Sequence, residues 1–322
     1  METKEPLSFT VTTAEAGQRL DMALVTRWPE FSRSQLARLA KVGQVKVDGR
    51  PGRPSTRLIS GQFIICPSPA TPLTDLTPDP ELKLDILYED KSILAVNKPW
   101  GLLVHPAPGT RGPTLAGGLL AHDSRFLTVG ERFRPGLVHR LDRDTSGVMV
   151  IARTELALKI LTAAFSRRET TKRYLAFVRG RPHINRGDIN LSIGRHPSQR
   201  HKMTGGGVRE KPARTLFQLL RYFPTTNISL LLLTLLSGRT HQARVHLASL
   251  GCPVLADPVY SRGVGDLFHR YPSLIPYLHR QLLHARRLTI NHPTTTLPLT
   301  LRAPWPEDFT SLWQELMYLE KL

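Results

Sequence analysis

The sequence predicts an α+β protein in two parts: a small N-terminal α+β unit and a larger unit built on a mixed, largely antiparallel sheet with flanking helices. Three observations predict it. Residues 67–82 read PSPATPLTDLTPDPEL, with five prolines in sixteen residues and no Lys or Arg; such a stretch resists helix and sheet and reads as a semi-rigid, extended linker. Beyond it, strand-like and helix-like segments do not alternate regularly, which argues against a doubly wound parallel sheet. The last third is a series of short β-type segments separated by prolines. A chain of 322 residues suits about two domains. The expected division is 15–66, a linker at 67–82, and 83–322.

In the small unit, Leu20, Ala23, Leu24 and Trp28 make a helical stripe after Arg19. Ser32 followed by Gln35 is a capping-box pattern that opens a second helix. Gln44-Val45-Lys46-Val47 alternates like a strand and Asp48-Gly49 is a tight-turn signal. Arg53 to Ile65 supplies further strand-like sequence. From Gly17 to Cys66 there are nine Lys or Arg against three Asp or Glu. Arg33, Arg38 and Lys41 are expected on one face of the second helix, where they could track a phosphate backbone.

In the large unit, Ile93-Leu94-Ala95-Val96 reads as a strand that runs into the breaker-rich turn Asn97-Lys98-Pro99-Trp100-Gly101. Val148-Met149-Val150-Ile151-Ala152 is a buried-strand pattern, and Ile228 to Leu236 is another. Val245-His246-Leu247-Ala248 belongs to a helix expected to end at Gly251. Arg195 to Lys211, with Arg200, His201 and Lys202 ahead of Gly205-Gly206-Gly207, reads as a basic, glycine-rich hairpin suited to clamping a polyanion.

Composition narrows the function. There are 44 Lys and Arg against 26 Asp and Glu, a net charge of +18, which favours a polyanionic partner. Hydrophobic residues make up 40%, enough for a real core. The longest apolar run, Ile228–Leu236, is interrupted by Ser229 and Thr234 and is far short of a membrane helix. METKEPLSFT has no basic start followed by an apolar stretch, so no secretory leader is expected. Cys66 and Cys252 do not make a disulfide framework. A soluble, cytoplasmic protein follows as the expectation. Phosphate-loop, dinucleotide-binding, zinc-protease and serine-hydrolase signatures are missing. His241 and His246 are five apart with no Cys or carboxylate cluster, so no metal is expected. His105 and His139 read as loop-orienting hydrogen-bonding residues.

The segment His139–Gly147 concentrates Arg140, Asp142, Arg143 and Asp144 beside Thr145-Ser146-Gly147, which feeds the buried strand. A carboxylate at the mouth of such a strand needs a cation beside it. That pairing keeps it ionised, and an ionised, partly desolvated Asp can act as nucleophile or general base. A structural Arg–Asp turn network reads the same way. The residues leave Asp142 and Asp144 open, and in an extended chain both would face one side.

Several stretches together resemble a known family. HRLDRDTSG, from His139, resembles the HRLDxxTSG signature of the RluA-type pseudouridine synthases. Asn97 to Pro106 resembles its NKPxGxxVHP element, Lys172 to Val178 its KxYxAxV element, and Ser237 to Leu247 its TGRTHQxRVHL element. Asp257-Pro258-Val259-Tyr260 and Leu283-His284-Ala285 complete the set in the family's order, covering residue 17 to about 309. Residues Arg19-Leu20-Asp21, Ser32-Arg33-Ser34-Gln35 and Gly43 to Gly49 resemble the small RNA-binding module of the S-four type of ribosomal protein. The stretch ending Lys211-Pro212-Ala213 resembles members acting on 23S ribosomal RNA, the RluD-like enzymes.

The resemblance implies the pseudouridine synthase fold and isomerisation of uridine within RNA, with no cofactor and no metal, in a protein that can act as a monomer. It implies that Asp142 is the essential carboxylate, that Arg239 pairs with it, and that Tyr174 lies against the uracil and assists deprotonation at carbon 5. Arg140 would occupy the vacated stack, and His139, Arg33, Arg38, Lys41, Arg200 and Lys202 would contact RNA. Leu235 or Leu236 would wall the pocket. Two departures stand out: Ala256 where the family usually has Gly, and Ser237 where it usually has Thr; both put loop geometry in doubt. The same parts would serve a synthase for transfer RNA or another ribosomal site. A noncatalytic RNA-binding or ribosome-assembly protein would have no need of Asp142, Tyr174 and Arg239 together.

Overall fold

The computed structural model describes residues 6–29, 31, 33–67, 76–106, 112–131, 134–199, 202–261 and 265–322. Ser32, Arg200, His201 and half of the expected linker, residues 68–75, therefore lie outside the described residues. The chain divides into two compact units, one ending at Leu76 and the next beginning at Thr77.

In the first unit the Leu20 stripe forms α1 (Leu20–Arg27) and the basic run forms α2 (Arg33–Lys41). β1 (Leu7–Thr10), β2 (Lys46–Val47), β3 (Arg50–Pro51) and β4 (Phe63–Cys66) make a sheet in the order β1-β4-β2-β3. β1 begins well before residue 15, where the sequence put the unit's start. Asp48 and Gly49 both have positive φ, 49° and 78°, the backbone a two-residue hairpin between β2 and β3 requires. Leu20, Ala23 and Leu24 of α1 and Leu36 and Ala40 of α2 close over Val45, Ile64 and Cys66. Burial raises the Cys66 thiol to about 11, so it stays protonated inside this core. The carboxylate of buried Asp21 takes hydrogen bonds from Arg19 and Arg33.

The second unit is built on a nine-stranded sheet. Its strands are β5 (Ile86–Glu89), β6 (Ile93–Lys98), β9 (Ser146–Ala152), β10 (Thr171–Arg179), β11 (Arg186–Asn190), β15 (Arg214–Phe223), β16 (Ile228–Leu235), β17 (Leu283–Asn291) and β18 (Pro298–Arg302). The order is β11-β15-β16-β10-β17-β9-β6-β5, with β18 beside β17. Every pairing is antiparallel except β17 with β9, so the sheet is mixed and largely antiparallel. β7 (Gly130–Glu131) and β8 (Arg134–Pro135) form a small hairpin. β12 (Ile193–Arg195), β13 (Met203–Gly205) and β14 (Val208–Lys211) form a separate three-stranded sheet where a single basic hairpin was expected. The helices are α3 (Leu115–His122), α4 (Glu155–Arg167), α5 (Gln242–Ser249), α6 (Gly265–Arg270) and α7 (Glu307–Leu319).

Both faces of the central strands are covered. On one, Leu175, Phe177 and Leu230 pack with Phe309, Leu312 and Leu316 of α7. On the other, Ala176, Val178, Leu231 and Leu233 pack with Ala243 and Leu247 of α5. Residues 77–82, read as linker, lie against α3: the Asp79 amide donates to the Gly117 carbonyl, and Leu82 fills the space beside Gly118. α5 ends at Ser249, and Gly251, two residues on, has a φ of 77°, the left-handed stop expected of a glycine there.

Two backbone positions are tightly constrained. At Gly147, φ is 119° and a Cβ would lie 2.3 Å from the Ala285 carbonyl oxygen; only glycine lets β9 begin beside β17. At Ala256, φ is 57°, a conformation that costs an L-residue about 1–2 kcal/mol. Ala256→Gly is therefore expected to raise unfolding stability by about 0.5–1 kcal/mol, the relief being partly offset by a looser unfolded chain. Denaturant unfolding of the two proteins checks this; an unchanged or lower stability would contradict it.

Candidate active site

The turn before β9 separates the two aspartates. The Thr145 amide donates to the Asp142 carbonyl at 3.1 Å, so the chain bends there and does not run extended. Asp144 is consequently turned toward the exposed guanidinium of Arg143, 3.0 Å away. Asp142 instead lines a cavity of about 510 Å³. The turn is fastened from below. The Gln281 amide donates to the Thr145 hydroxyl and Ser146 meets the His284 ring at 3.0 Å. Arg280, forked onto Asp308 of α7, donates to the Asp144 carbonyl.

Lys98, at the end of β6, is fully buried. Its ammonium donates to the carbonyls of Pro99, Leu102 and Arg143, at 2.6, 2.8 and 2.9 Å. It therefore ties the NKPWG turn to the HRLD turn. Burial pushes its pKa down to about 7 against the pull of Asp144 and Asp142.

The cation that meets Asp142 is Arg244, where Arg239 was expected. Arg244 Nη1 donates to Asp142 Oδ2 at 3.1 Å, while its Nε and Nη2 grip Asp257 at 2.7 and 2.9 Å. Arg244 and Asp257 are both buried. Burial works against the Arg244 charge, but the two carboxylates outweigh it and its pKa lies above the ordinary value. Asp257 also accepts the amides of Val259 and Tyr260. Left-handed Ala256 turns the chain so that this residue faces Arg244. Arg239 donates through Nε to the Pro212 carbonyl at 3.2 Å and lines the rim. The sequence presented two arginines five apart: Arg244 sits in the first turn of α5 and reaches Asp142, whereas Arg239 lies in the loop before the helix.

His241, left-handed at φ 57° immediately before α5, stands 3.9 Å from Asp142. The Met203 amide donates to the Tyr260 hydroxyl at 2.8 Å, and that hydroxyl shares a hydrogen bond of 2.9 Å with His241 Nδ1. The Tyr260 ring carries Arg244 on it, 5.1 Å from the centroid, and Lys202 5.7 Å away. Lys202, expected to contact RNA, thus lies over the ring whose hydroxyl meets the cavity-lining His241. Ser237 keeps the hydroxyl a threonine would supply: it accepts from the Arg214 amide and donates to Gln242. That departure leaves the loop's bonding intact.

The remaining expected residues divide. Tyr174 and Arg140 line the cavity, and so does Leu235. Burial, reinforced by Asp142, pushes the Tyr174 phenol above its ordinary value. It is therefore neutral, which suits a ring platform and disfavours a basic role at carbon 5. His139 also borders the cavity, but its Nε2 accepts the Val150 amide and its ring stacks on Phe165 at 4.6 Å. Burial and Lys172 hold it down at about 3, so it is a neutral strut and not a phosphate contact. Arg33 falls in line with buried Leu36 and Ala40 on α2 and turns onto Asp21; Arg38 and Lys41, on the other side, are exposed. The sequence reading missed Arg168 and Lys172, which join Arg140, Arg239 and Arg244 around Asp142. Burial, then Arg168 and Arg239, lowers Lys172 to about 8. Among the described residues no group of three His, Cys, Asp or Glu could hold a metal ion, and no helix is long and apolar enough to cross a membrane.

The chain that builds this site, a single carboxylate held by a buried arginine among further cations, has relatives among known proteins. Residues 92–249 match the family model described as RNA pseudouridylate synthase. A protein of Aquifex aeolicus described as an uncharacterized RNA pseudouridine synthase is 38% identical, over 98% of this chain and 98% of that one. The ribosomal large subunit pseudouridine synthase D of Neisseria meningitidis serogroup B is 38% identical over 97% of this chain and 82% of its own length. The chain belongs to the RluA/RluD-type RNA pseudouridine synthases. The solved structure of human RNA pseudouridylate synthase domain containing 1 is similar, with 31% identity and a TM-score of 0.55 over 70% of this chain and 84% of that one. This pseudouridine synthase is thus an isomerase acting on RNA, and its fold is that of its structural neighbours.

Two expectations follow for the synthase. Arg244→Lys retains a charge but not the fork, so single-turnover pseudouridine formation should fall on the order of a hundredfold. Arg239→Met should weaken RNA binding more than it slows turnover; equal rates for the Arg244 variant and the parent would contradict the pairing. The second concerns Lys98. Its folded pKa lies near 7 and its ordinary value is 10.5, so between those pH values the unfolded chain holds a proton that the folded one has released. Stability from this group therefore rises with pH across that window. The stability difference between wild type and Lys98→Met should grow from pH 7 to 9.5, by at most about 1.4 kcal/mol per pH unit; a flat difference would contradict the assignment.

Proposed function

We propose that Asp142 is the essential carboxylate of the isomerisation and that the substrate is 23S ribosomal RNA. The observation that carries the first part is geometric: among the described residues lining the cavity, Asp142 is the one carboxylate, and Arg244 aims it inward. The reaction exchanges a glycosidic N–C bond for a C–C bond to carbon 5 of the same uracil. It is neither a redox reaction nor a net hydrolysis. An ionised Asp serves each route open to it: addition to the base, attack on the anomeric carbon, or removal of the ribose 2′ proton.

The other residues take roles that fit their surroundings. The uridine must leave its stack, at a cost of a few kcal/mol. Arg140, exposed at the rim, is placed to fill the gap. Arg168, Lys172 and Arg239 offer charge to the phosphates of the extruded nucleotide. Tyr174 offers a ring face to the uracil while the detached base turns.

The RNA target is supported by relatives from Neisseria and Xanthomonas whose names specify the ribosomal large subunit. It is also supported by the small sheet of β12, β13 and β14, which places Lys202 on Tyr260 beside the cavity. The N-terminal unit reads as an RNA-binding module of the S-four type, with Arg38 and Lys41 as its exposed cations; tethering it to the synthase raises the local concentration of shared RNA. The cytoplasm is then where the enzyme acts.

Asp142→Asn is expected to abolish tritium release from RNA carrying carbon-5-labelled uridine while RNA binding persists; undiminished release would refute the catalytic assignment. Mapping pseudouridine in ribosomal and transfer RNA from a strain lacking the gene tests the target. Missing pseudouridines should appear in 23S ribosomal RNA, and a loss confined to transfer RNA would overturn that part.

A further inference from the structure

Away from the cavity, three arginines stand side by side across three adjacent strands. Arg173 of β10 is directly opposite Arg287 of β17, and Arg287 is directly opposite Arg302 of β18. Directly opposed residues share a face of the sheet, about 5 Å apart at Cβ. The next rung on that face, two residues along each strand, is Thr171, Thr289 and Thr300. Thr289 and Thr300 join hydroxyls at 2.9 Å. Six residues therefore form a patch of guanidinium and hydroxyl donors with no acid among them.

This arrangement works against the fold. Like charges directly opposite each other on a sheet are destabilising. Among the described residues none of the three arginine side chains makes an ion pair or a hydrogen bond, and Nε of Arg173 and of Arg287 are buried without a partner. Burial first, then the neighbouring Arg173 and Arg302, lowers the pKa of Arg287. Elsewhere, Arg244 pairs with Asp257 and Asp142 and Arg280 with Asp308, and Arg153, whose Nε is likewise without a partner, pairs with Glu89 and Asp123 through its other nitrogens. A row of unsatisfied donors in register, maintained at a cost, calls for an anion with several oxygens along its length.

Its position suggests which anion. Arg173 lies between Lys172 and Tyr174, which both line the cavity, and by alternation it projects from the opposite face of β10. The cavity and the row thus flank the start of β10 from opposite faces of the sheet. We propose that the Arg173–Arg287–Arg302 row, with its threonine rung, binds the phosphodiester backbone of the substrate RNA outside the cavity, as a sequence-independent anchor. The proposal rests on RNA being the substrate and not on which RNA it is.

The test uses the full-length protein and a labelled RNA stem-loop of arbitrary sequence, titrated across a salt series. Arg287→Gln and Arg302→Gln should each weaken binding roughly fivefold and lower the slope of log affinity against log salt by about one; the double variant should lower it by about two. Arg302→Lys should keep the slope. Without RNA, the thermal midpoints of the glutamine variants should equal or exceed that of the parent, since repulsion is relieved. If Arg287→Gln fails to fold, exposed Arg302→Gln alone decides the matter. Unchanged affinity or an unchanged salt slope would overturn the proposal. Weakened binding with lowered midpoints in both single variants would also overturn it, making the row a structural element. In a parallel arm with inorganic phosphate, stabilisation of the parent but not of the double variant, with equal RNA affinity in both, would reassign the row to free phosphate and sink the RNA reading.

Discussion

The synthase depends on one guanidinium divided between two carboxylates. Arg244 has two bonds to Asp257, which anchor it, and one to Asp142, which it aims. The division of labour comes from burial. A lone buried arginine would be strongly disfavoured, and a buried pair with no third bond would be a strut only. Because Asp257 holds Arg244 from behind, the remaining donor is fixed in direction before any RNA arrives. Preorganised charge of this kind needs no rearrangement during the reaction.

The rest of the large unit can be understood as holding that guanidinium and Asp142 in place. Left-handed Ala256 presents Asp257, and α5 presents Arg244 from its first turn. Gly147 lets β9 start beside β17, and the turn ahead of it carries Asp142. Lys98, Gln281 and Arg280 grip that turn through its carbonyls and hydroxyls. Those anchors come from β6, from the approach to β17 and, through Asp308, from α7. An antiparallel sheet with distant segments side by side is what allows such separate sources to converge.

Much of this was legible in the sequence. Apolar runs at Ile93, Val148 and Ile228 gave the central strands, and the absence of regular alternation gave the sheet's mixed character. The HRLD, KRY and GRTHQ segments do meet around one cavity. The features that escaped did so for physical reasons. Asp142 and Asp144 are separated by a turn closed through one backbone hydrogen bond, which residue identity does not reveal. Arg239 and Arg244 are set apart by where α5 begins, at Gln242, which leaves Arg239 in the loop before the helix. Arg33 looked like a phosphate contact because its inward partner, Asp21, lies twelve residues away on another helix. The early strand β1 has only four residues and no turn signal to set it off. The arginine row is invisible in one dimension, since Arg173 lies more than a hundred residues from the other two and meets them only through strand register.

Asp257 is expected to act on the chemistry through Arg244 without touching the RNA. The most direct measurement is single-turnover pseudouridine formation by Asp257→Asn, with RNA affinity measured alongside, at a temperature where parent and variant are both folded. The expected result is a rate lower on the order of a hundredfold, with affinity nearly unchanged. A rate equal to that of the parent would contradict it.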